Sequence, residues 1–435
     1  MKFSERTGWN TEESELARAH RERVASGAGL PGHPDLLDLT ASNPTRCGFS
    51  YDEDWLGPLA GSGVGAGALE YDPQPLGLPS AREAVVRYYR EHGVEGGNER
   101  GTGVAAGRVL LTTSTSEAYG YLFKLLCNAG DEVIVPQPSY PLFDFLADLE
   151  MVRIVAAPLI YDHGWQLDLE GLRQRITART RAVVLVHPNN PTGHFTKVDE
   201  ARELAALCRE HGLALIVDEV FLDYGFGVGA AATDSDGMAA SGLMGFGDAS
   251  SFAGRGLDVL TFVVSGISKI CGLPQMKVAW LVASGPGAEE AMARLEVVAD
   301  TYLSMNAPMQ AALPVWLPWR RGIQRQIRER TGRNLAALDG LLGRQEAERR
   351  LVSRLDVEAG WYAVLRIWAV QPDEVTVRQL LEAGVWVHPG YFFGFGPAGW
   401  LVVSLLTPEE EFLRGMELVL EVLGRNQSGY CLGES

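Results

Sequence analysis

Ser265-Gly266-Ile267-Ser268-Lys269-Ile270-Cys271-Gly272-Leu273-Pro274 closes an apolar run that begins at Val259 and sets a lysine directly after a strand that reads as buried. In an open α/β sheet, ligands bind in the crevice beyond the carboxyl ends of the strands, so such a strand delivers Lys269 to a binding site. Desolvation lowers a lysine's pKa toward the neutral amine that attacks an aldehyde. Taken alone, Lys269 is equally a solvated loop residue; its surroundings decide.

Working outward, residues 108–283 alternate short β-branched runs with longer amphipathic ones, the pattern of an α/β protein with a mostly parallel sheet flanked by helices. Seven strands are expected: Val109–Thr112, Glu132–Val135, Val152–Ala156, Ala182–His187, Leu213–Asp218, Val259–Ser265 and Val278–Ala283. Helices are expected at Thr115–Asn128 and Val198–His211. Two Gly-rich stretches, Gly93–Gly107 and Gly225–Gly256, read as mobile surface insertions, because they bury little apolar area. Past Asn306 a charged helix and short strands predict a smaller α+β domain, with a loose tail from Asn426 to Ser435. The expected division is a large domain over 46–304 and a small one built by both chain ends, 1–45 and 305–435.

Other strand ends also carry chemistry. Asp218 ends Leu213–Asp218, where a buried carboxylate keeps a ligand's basic nitrogen protonated; the plain alternative is a cap for the next turn. Asn190, in His187-Pro188-Asn189-Asn190-Pro191-Thr192-Gly193, sits in a stiff turn that frees its amide for a ligand oxygen. Thr115 and Ser116 open a helix whose N-terminus suits a phosphate, or they belong to an ordinary cap supported by Glu117. Lys277, Ser265 and Ser268 can add charge and hydrogen bonds to that phosphate. Tyr140, after Glu132–Val135, offers a ring face for stacking or simply packs in the core.

The whole chain has 435 residues and a net charge of -17, too long for one compact core and unsuited to a phosphate backbone or an anionic bilayer. No nucleic acid or membrane partner is expected. Residues 1–10 lack the order of a secretory signal, which predicts a cytoplasmic protein. Five scattered cysteines and the pair His187 and His194 fit no ligand spacing, so no metal is assigned.

Together these segments resemble the class I/II, fold-type I aminotransferases over roughly residues 39–411. The motifs that carry the likeness are Asn43-Pro44, Tyr71 with Gly77-Leu78-Pro79-Ser80-Ala81-Arg82, Thr115-Ser116-Glu117-Ala118, Pro138-Ser139-Tyr140, Asn190-Pro191-Thr192-Gly193, Asp218-Glu219-Val220 and Ser265-x-x-Ser268-Lys269. Their wording is nearest the alanine aminotransferase-like branch. The resemblance implies pyridoxal 5'-phosphate (PLP) as cofactor, with Lys269 as Schiff-base lysine and proton carrier. Asp218 would sit at the ring nitrogen, Asn190 at the ring oxygen and Tyr140 on the ring, while Thr115, Ser116, Ser265, Ser268 and Lys277 would hold the phosphate. Tyr71 would reach the phosphate of a neighbouring subunit, which implies a homodimer with shared sites. The implied reaction transfers an amino group between an amino donor and a 2-oxo acid.

Three departures from the family pattern stand out. Phe221 replaces a tyrosine that donates to the ring oxygen, and Lys277 replaces an arginine. Val402 aligns with the family's carboxylate-binding arginine. The substrate residues are then expected to be Asn43, Asn190 and Arg46, with Arg366 and His388 next. The missing arginine also keeps open another PLP reaction on the same fold, such as β-elimination, decarboxylation or racemisation. A further alternative is a ligand sensor or scaffold without turnover.

Overall fold

A computed structural model describes residues 2–27, 36–51, 53–60, 71–94, 103–226, 248–303, 305–345, 350–368 and 371–431. Its strands are β1 (Leu37–Asp38), β2 (Val109–Thr112), β3 (Glu132–Gln137), β4 (Arg153–Tyr161), β5 (Trp165–Leu167), β6 (Thr180–Val186) and β7 (Ala214–Asp218). They continue with β8 (Thr261–Gly266), β9 (Ala279–Ser284), β10 (Val352–Arg354), β11 (Tyr362–Ile367), β12 (Val385–Trp386), β13 (His388–Pro389) and β14 (Trp400–Ser404).

The main sheet has the order β2-β9-β8-β7-β6-β3-β4-β5, and β9 and β5 run against the others. All seven expected strands are in it. The eighth, β5, corrects the expected count: three residues alternating buried, exposed, buried at the sheet edge are too short to register as a strand in the sequence. Along β7 the side chains alternate between two cores. Leu215 and Val217 face one, which extends to the small sheet, while Ala214 and Ile216 face the other, under the helices Thr115–Leu126 and Ala288–Tyr302. Burial on both faces explains why these strands read as continuous apolar runs.

The second sheet, β10-β11-β14-β13, is antiparallel. Ala363, Leu365, Leu401 and Val403 point to a core under the helices Asp373–Ala383 and Glu409–Cys431. Tyr362, Val364 and Val402 point the other way, to the core shared with the main sheet. β1 pairs with β12, and the amide of Ser404 donates to Leu39 O at 2.6 Å, so the segment from Leu39 to Asn43 is laid beside the small sheet. The 37-residue helix Ala307–Gly343, about 55 Å long at helical rise, packs on both cores.

Two other expectations need correction. Residues 95–102 and 227–247 of the Gly-rich stretches lie outside the described residues, but 248–256 form no loose insertion. Ser251 Oγ and the amide of Phe252 donate to the Glu219 carboxylate at 2.7 and 2.6 Å, and Phe252 is buried. The expected tail is helical as far as Cys431, because the helix begun at Glu409 continues cooperatively past its anchored apolar stripe.

Candidate active site

The carboxyl ends of β2, β3, β6, β7 and β8 lie along one edge of the main sheet, and each is followed by a residue singled out above. β8 ends at Gly266, where a Cβ would stand 2.9 Å from the Val278 carbonyl oxygen and the Ala279 Cβ; only glycine allows that approach. The chain then makes one helical turn, Ile267–Ile270, that carries Lys269. The Tyr224 hydroxyl donates to the Lys269 carbonyl at 2.6 Å and fixes the turn. Lys269 Nζ donates to the Ser42 carbonyl at 3.5 Å and lies 4.8 Å from the Trp361 ring and 5.6 Å from the Phe221 ring. Burial brings the lysine down to about 8, while the charge of Asp218 pulls the other way. At that value about a tenth of the amine is neutral at pH 7, against well under a thousandth for a free lysine.

Asp218 terminates β7, the neighbour of β8, and is buried. Its Oδ1 accepts from the Val220 amide at 3.1 Å and its Oδ2 from the Tyr119 hydroxyl at 3.2 Å. Burial pushes the carboxyl up to about 6, opposed by those two bonds and by Lys269. A cationic ring nitrogen beside it would restore the charged form.

The helix Thr115–Leu126 starts at the end of β2. Ser114 Oγ accepts from the Glu117 amide at 3.1 Å, and Glu117 reaches back to the Thr113 amide at 2.6 Å. This reciprocal cap leaves the amides of Thr115 and Ser116 at the head of the helix without an intrahelical acceptor, as an anion site requires. Ser268 is partly buried, whereas Ser265 is buried and donates to the Glu219 carbonyl at 3.4 Å. Lys277 is exposed in a left-handed conformation, φ 53°. Asn190 is buried and its Oδ1 has no partner, an orphaned polar atom in the crevice. Either end of that amide suits a ligand oxygen or hydroxyl. Tyr140 is partly buried, edge-on to Phe143 at 6.0 Å, and close enough to Asp218 for that charge to raise its hydroxyl's pKa further, after burial. An anion cradle, a buried carboxylate, an unpartnered amide and a depressed lysine fit PLP group by group.

On the substrate side, Asn43 Oδ1 accepts from Thr45 N and Oγ1 at 3.1 and 2.8 Å, capping its own turn, and Arg46 at the end of that turn is exposed. Val402 is completely buried between Val364 and His388. Burial drives His388 down to about 4, so it is neutral at physiological pH, and its Nδ1 is unpartnered. Arg366 is exposed, its guanidinium 4.9 Å from the Trp400 ring. Tyr71 is 79% exposed. Sequence reading missed Tyr119, Tyr224, Trp361 and Ser42, which meet the site only through tertiary contact. A cavity of about 680 Å³ near Arg108, Gly285 and Glu289 lies at the opposite end of β8 and holds none of these residues.

The family model for aminotransferase class I and II matches residues 66–417. Glutamate-pyruvate aminotransferase AlaA of Haemophilus influenzae is 27% identical over 281 residues, which are 64% of this chain and 62% of that protein. The chain therefore spans about three-fifths of the length of that relative. Aspartate/prephenate aminotransferase of Thermus thermophilus is 28% identical over 409 residues, 90% of this chain and 92% of that protein. Among solved structures, alanine aminotransferase from Pyrococcus furiosus superposes with a TM-score of 0.77 over 98% of this chain and all of that one, at 22% identity, a likeness of fold. With four-fifths of its length inside the family model and a site that fits PLP, this chain belongs to the class I and II aminotransferases, a PLP-dependent family.

Proposed function

We propose that the chain is a PLP-dependent aminotransferase that moves an amino group between an amino donor and a 2-oxo acid. One observation carries the reading: a partly buried lysine depressed to about 8 and a buried carboxylate raised to about 6 stand at the ends of adjacent parallel strands, each acting on the other's charge. PLP supplies the electron sink that stabilises charge on the substrate's amino carbon. Lys269, once free, moves the proton at that carbon, and its lowered pKa lets the amine act as a base near neutral pH. Asp218 keeps the ring nitrogen protonated, Asn190 holds the ring oxygen and the substrate, and Tyr140 covers the ring. Thr115, Ser116, Ser265, Ser268 and Lys277 hold the phosphate.

The reading extends to a homodimer. Tyr71 is exposed, and Leu56, Val297, Tyr302 and Leu303 add further exposed apolar surface that a second copy would cover. The large domain is 46–304, with a small domain from 1–45 and 305–435. Asn43 and Arg46 line the substrate end. The chain works in the cytoplasm; among the described residues no helix is long and apolar enough to cross a membrane.

Full burial of Val402 in an apolar core favours a second reading, another PLP reaction such as β-elimination, decarboxylation or racemisation, because no cation occupies that place for an α-carboxylate. A panel of amino acids mixed with the PLP-loaded protein separates the two. Loss of visible absorbance with stoichiometric release of a 2-oxo acid supports amino transfer. Ammonia with pyruvate, carbon dioxide, or racemised substrate with unchanged absorbance overturns it.

A further inference from the structure

Asp218 is held from two sides, and one donor has no part in the chemistry above. Tyr119 lies in the helix Thr115–Leu126, 2% exposed, its ring edge-on to Phe143 at 5.2 Å and tilted against Phe123 at 6.1 Å. Ala118, Leu122, Phe123 and Phe143 share its core with two further tyrosines, Tyr121 and Tyr140, and Tyr140 also acts electrostatically on it. A phenylalanine would keep the same ring contacts, and a phenol hydroxyl in such a place costs stability unless it is bonded. Its bond goes to Asp218 Oδ2 at 3.2 Å, across 99 residues of sequence.

Thr115 and Tyr119 are four residues apart, so they share one face of the helix about 6 Å apart along its axis. The helix that presents its head to an anion therefore also reaches the carboxylate one turn further in. We propose that Tyr119 is a positioning residue for the cofactor's ring nitrogen: its clamped hydroxyl holds Asp218 ionised and in one orientation, on the same rigid helix that meets the phosphate. The proposal rests on the reading of Asp218 as the partner of that nitrogen. Donation by Tyr119 favours the carboxylate over the carboxylic acid, and the charge of Asp218 in turn raises the phenol's pKa, after burial, so the tyrosine remains a donor at every working pH.

The test measures PLP affinity of the cofactor-free protein from pH 5.5 to 8.5 by fluorescence titration, for wild type, Tyr119→Phe and Asp218→Asn, with melting temperatures of all three. Loss of the bond moves the acid limb of Tyr119→Phe upward by about one pH unit: affinity is unchanged at pH 8 and about fivefold weaker than wild type at pH 6. Asp218→Asn binds more weakly throughout and has no such limb. Superimposable profiles for Tyr119→Phe and wild type, with Asp218→Asn impaired, overturn the role of Tyr119 alone. Equal weakening of Tyr119→Phe at every pH marks a merely structural tyrosine and does the same. Wild-type binding by Asp218→Asn overturns the reading of Asp218 itself.

Discussion

An aspartate kept where its charge is disfavoured should cost the cofactor-free protein stability, and Asp218→Asn exposes that cost. The folded carboxyl titrates at about 6, against an ordinary value of 3.8, with burial as the leading cause. Between those values the folded chain binds more protons than the unfolded one, so stability falls as pH rises through the window. The difference corresponds to about 3 kcal/mol at most, present in full above pH 6 and absent below pH 4. Asparagine keeps the shape and still accepts from the Val220 amide. The cofactor-free variant should therefore be more stable than wild type by about 2–3 kcal/mol at pH 8, or about 3 °C in melting temperature for a chain of this length. At pH 4 the two should coincide. PLP reverses the order at pH 8, because a cationic ring nitrogen then finds no carboxylate in the variant. Chemical denaturation and thermal melts at pH 4 and pH 8, with and without PLP, make the comparison. A cofactor-free variant less stable than wild type at pH 8, or a difference independent of pH, refutes the reasoning.

Three further outcomes follow from named contacts. Lys269→Ala leaves the fold intact but abolishes the visible absorbance of bound PLP and its fixation by borohydride, read by spectrum and intact mass; an unchanged spectrum rejects the lysine. Phe221→Tyr puts a donor beside Lys269, within 5.6 Å of the present ring, and lowers the pH midpoint of the bound cofactor's spectral transition by tenfold or more in proton affinity; spectrophotometric titration reads this, and a midpoint that stays or rises contradicts it. His92 Nε2 lies 2.9 Å from Asp223 Oδ1; the charge of Asp223 and its hydrogen bonds raise the buried histidine's pKa against desolvation, and His92 lowers that of Asp223 in turn. That support is complete below the ordinary histidine value of 6.5 and fades as pH rises through the raised one, so His92→Leu should lower the denaturation midpoint more at pH 5.5 than at pH 8.5.

Residues standing next in the chain to a buried strand were legible, because β2, β3, β6, β7 and β8 write themselves as apolar runs and their ends share one edge. Lys269, Asp218, Asn190, Tyr140, Thr115 and Ser116 follow directly from that. β5 escaped because three alternating residues carry too little pattern, and the terminal helix outran its expected end because propagation needs no further apolar signal once the first turns are anchored. The supporting shell obeys a different logic. Tyr119 places its hydroxyl on Asp218, 99 positions away, Tyr224 places its own on the Lys269 carbonyl, 45 positions away, and Trp361 brings its ring to Lys269 from just before β11. Tyr119 shares its buried helical stripe with Tyr121, so the pattern neither singles it out nor gives an address for its partner. The same separation governs the substrate end. Burial of Val402 moves the burden of charge to residues outside that strand, and Arg366 stands opposite Trp400 on the same sheet face, two places along from the Val364–Val402 pair.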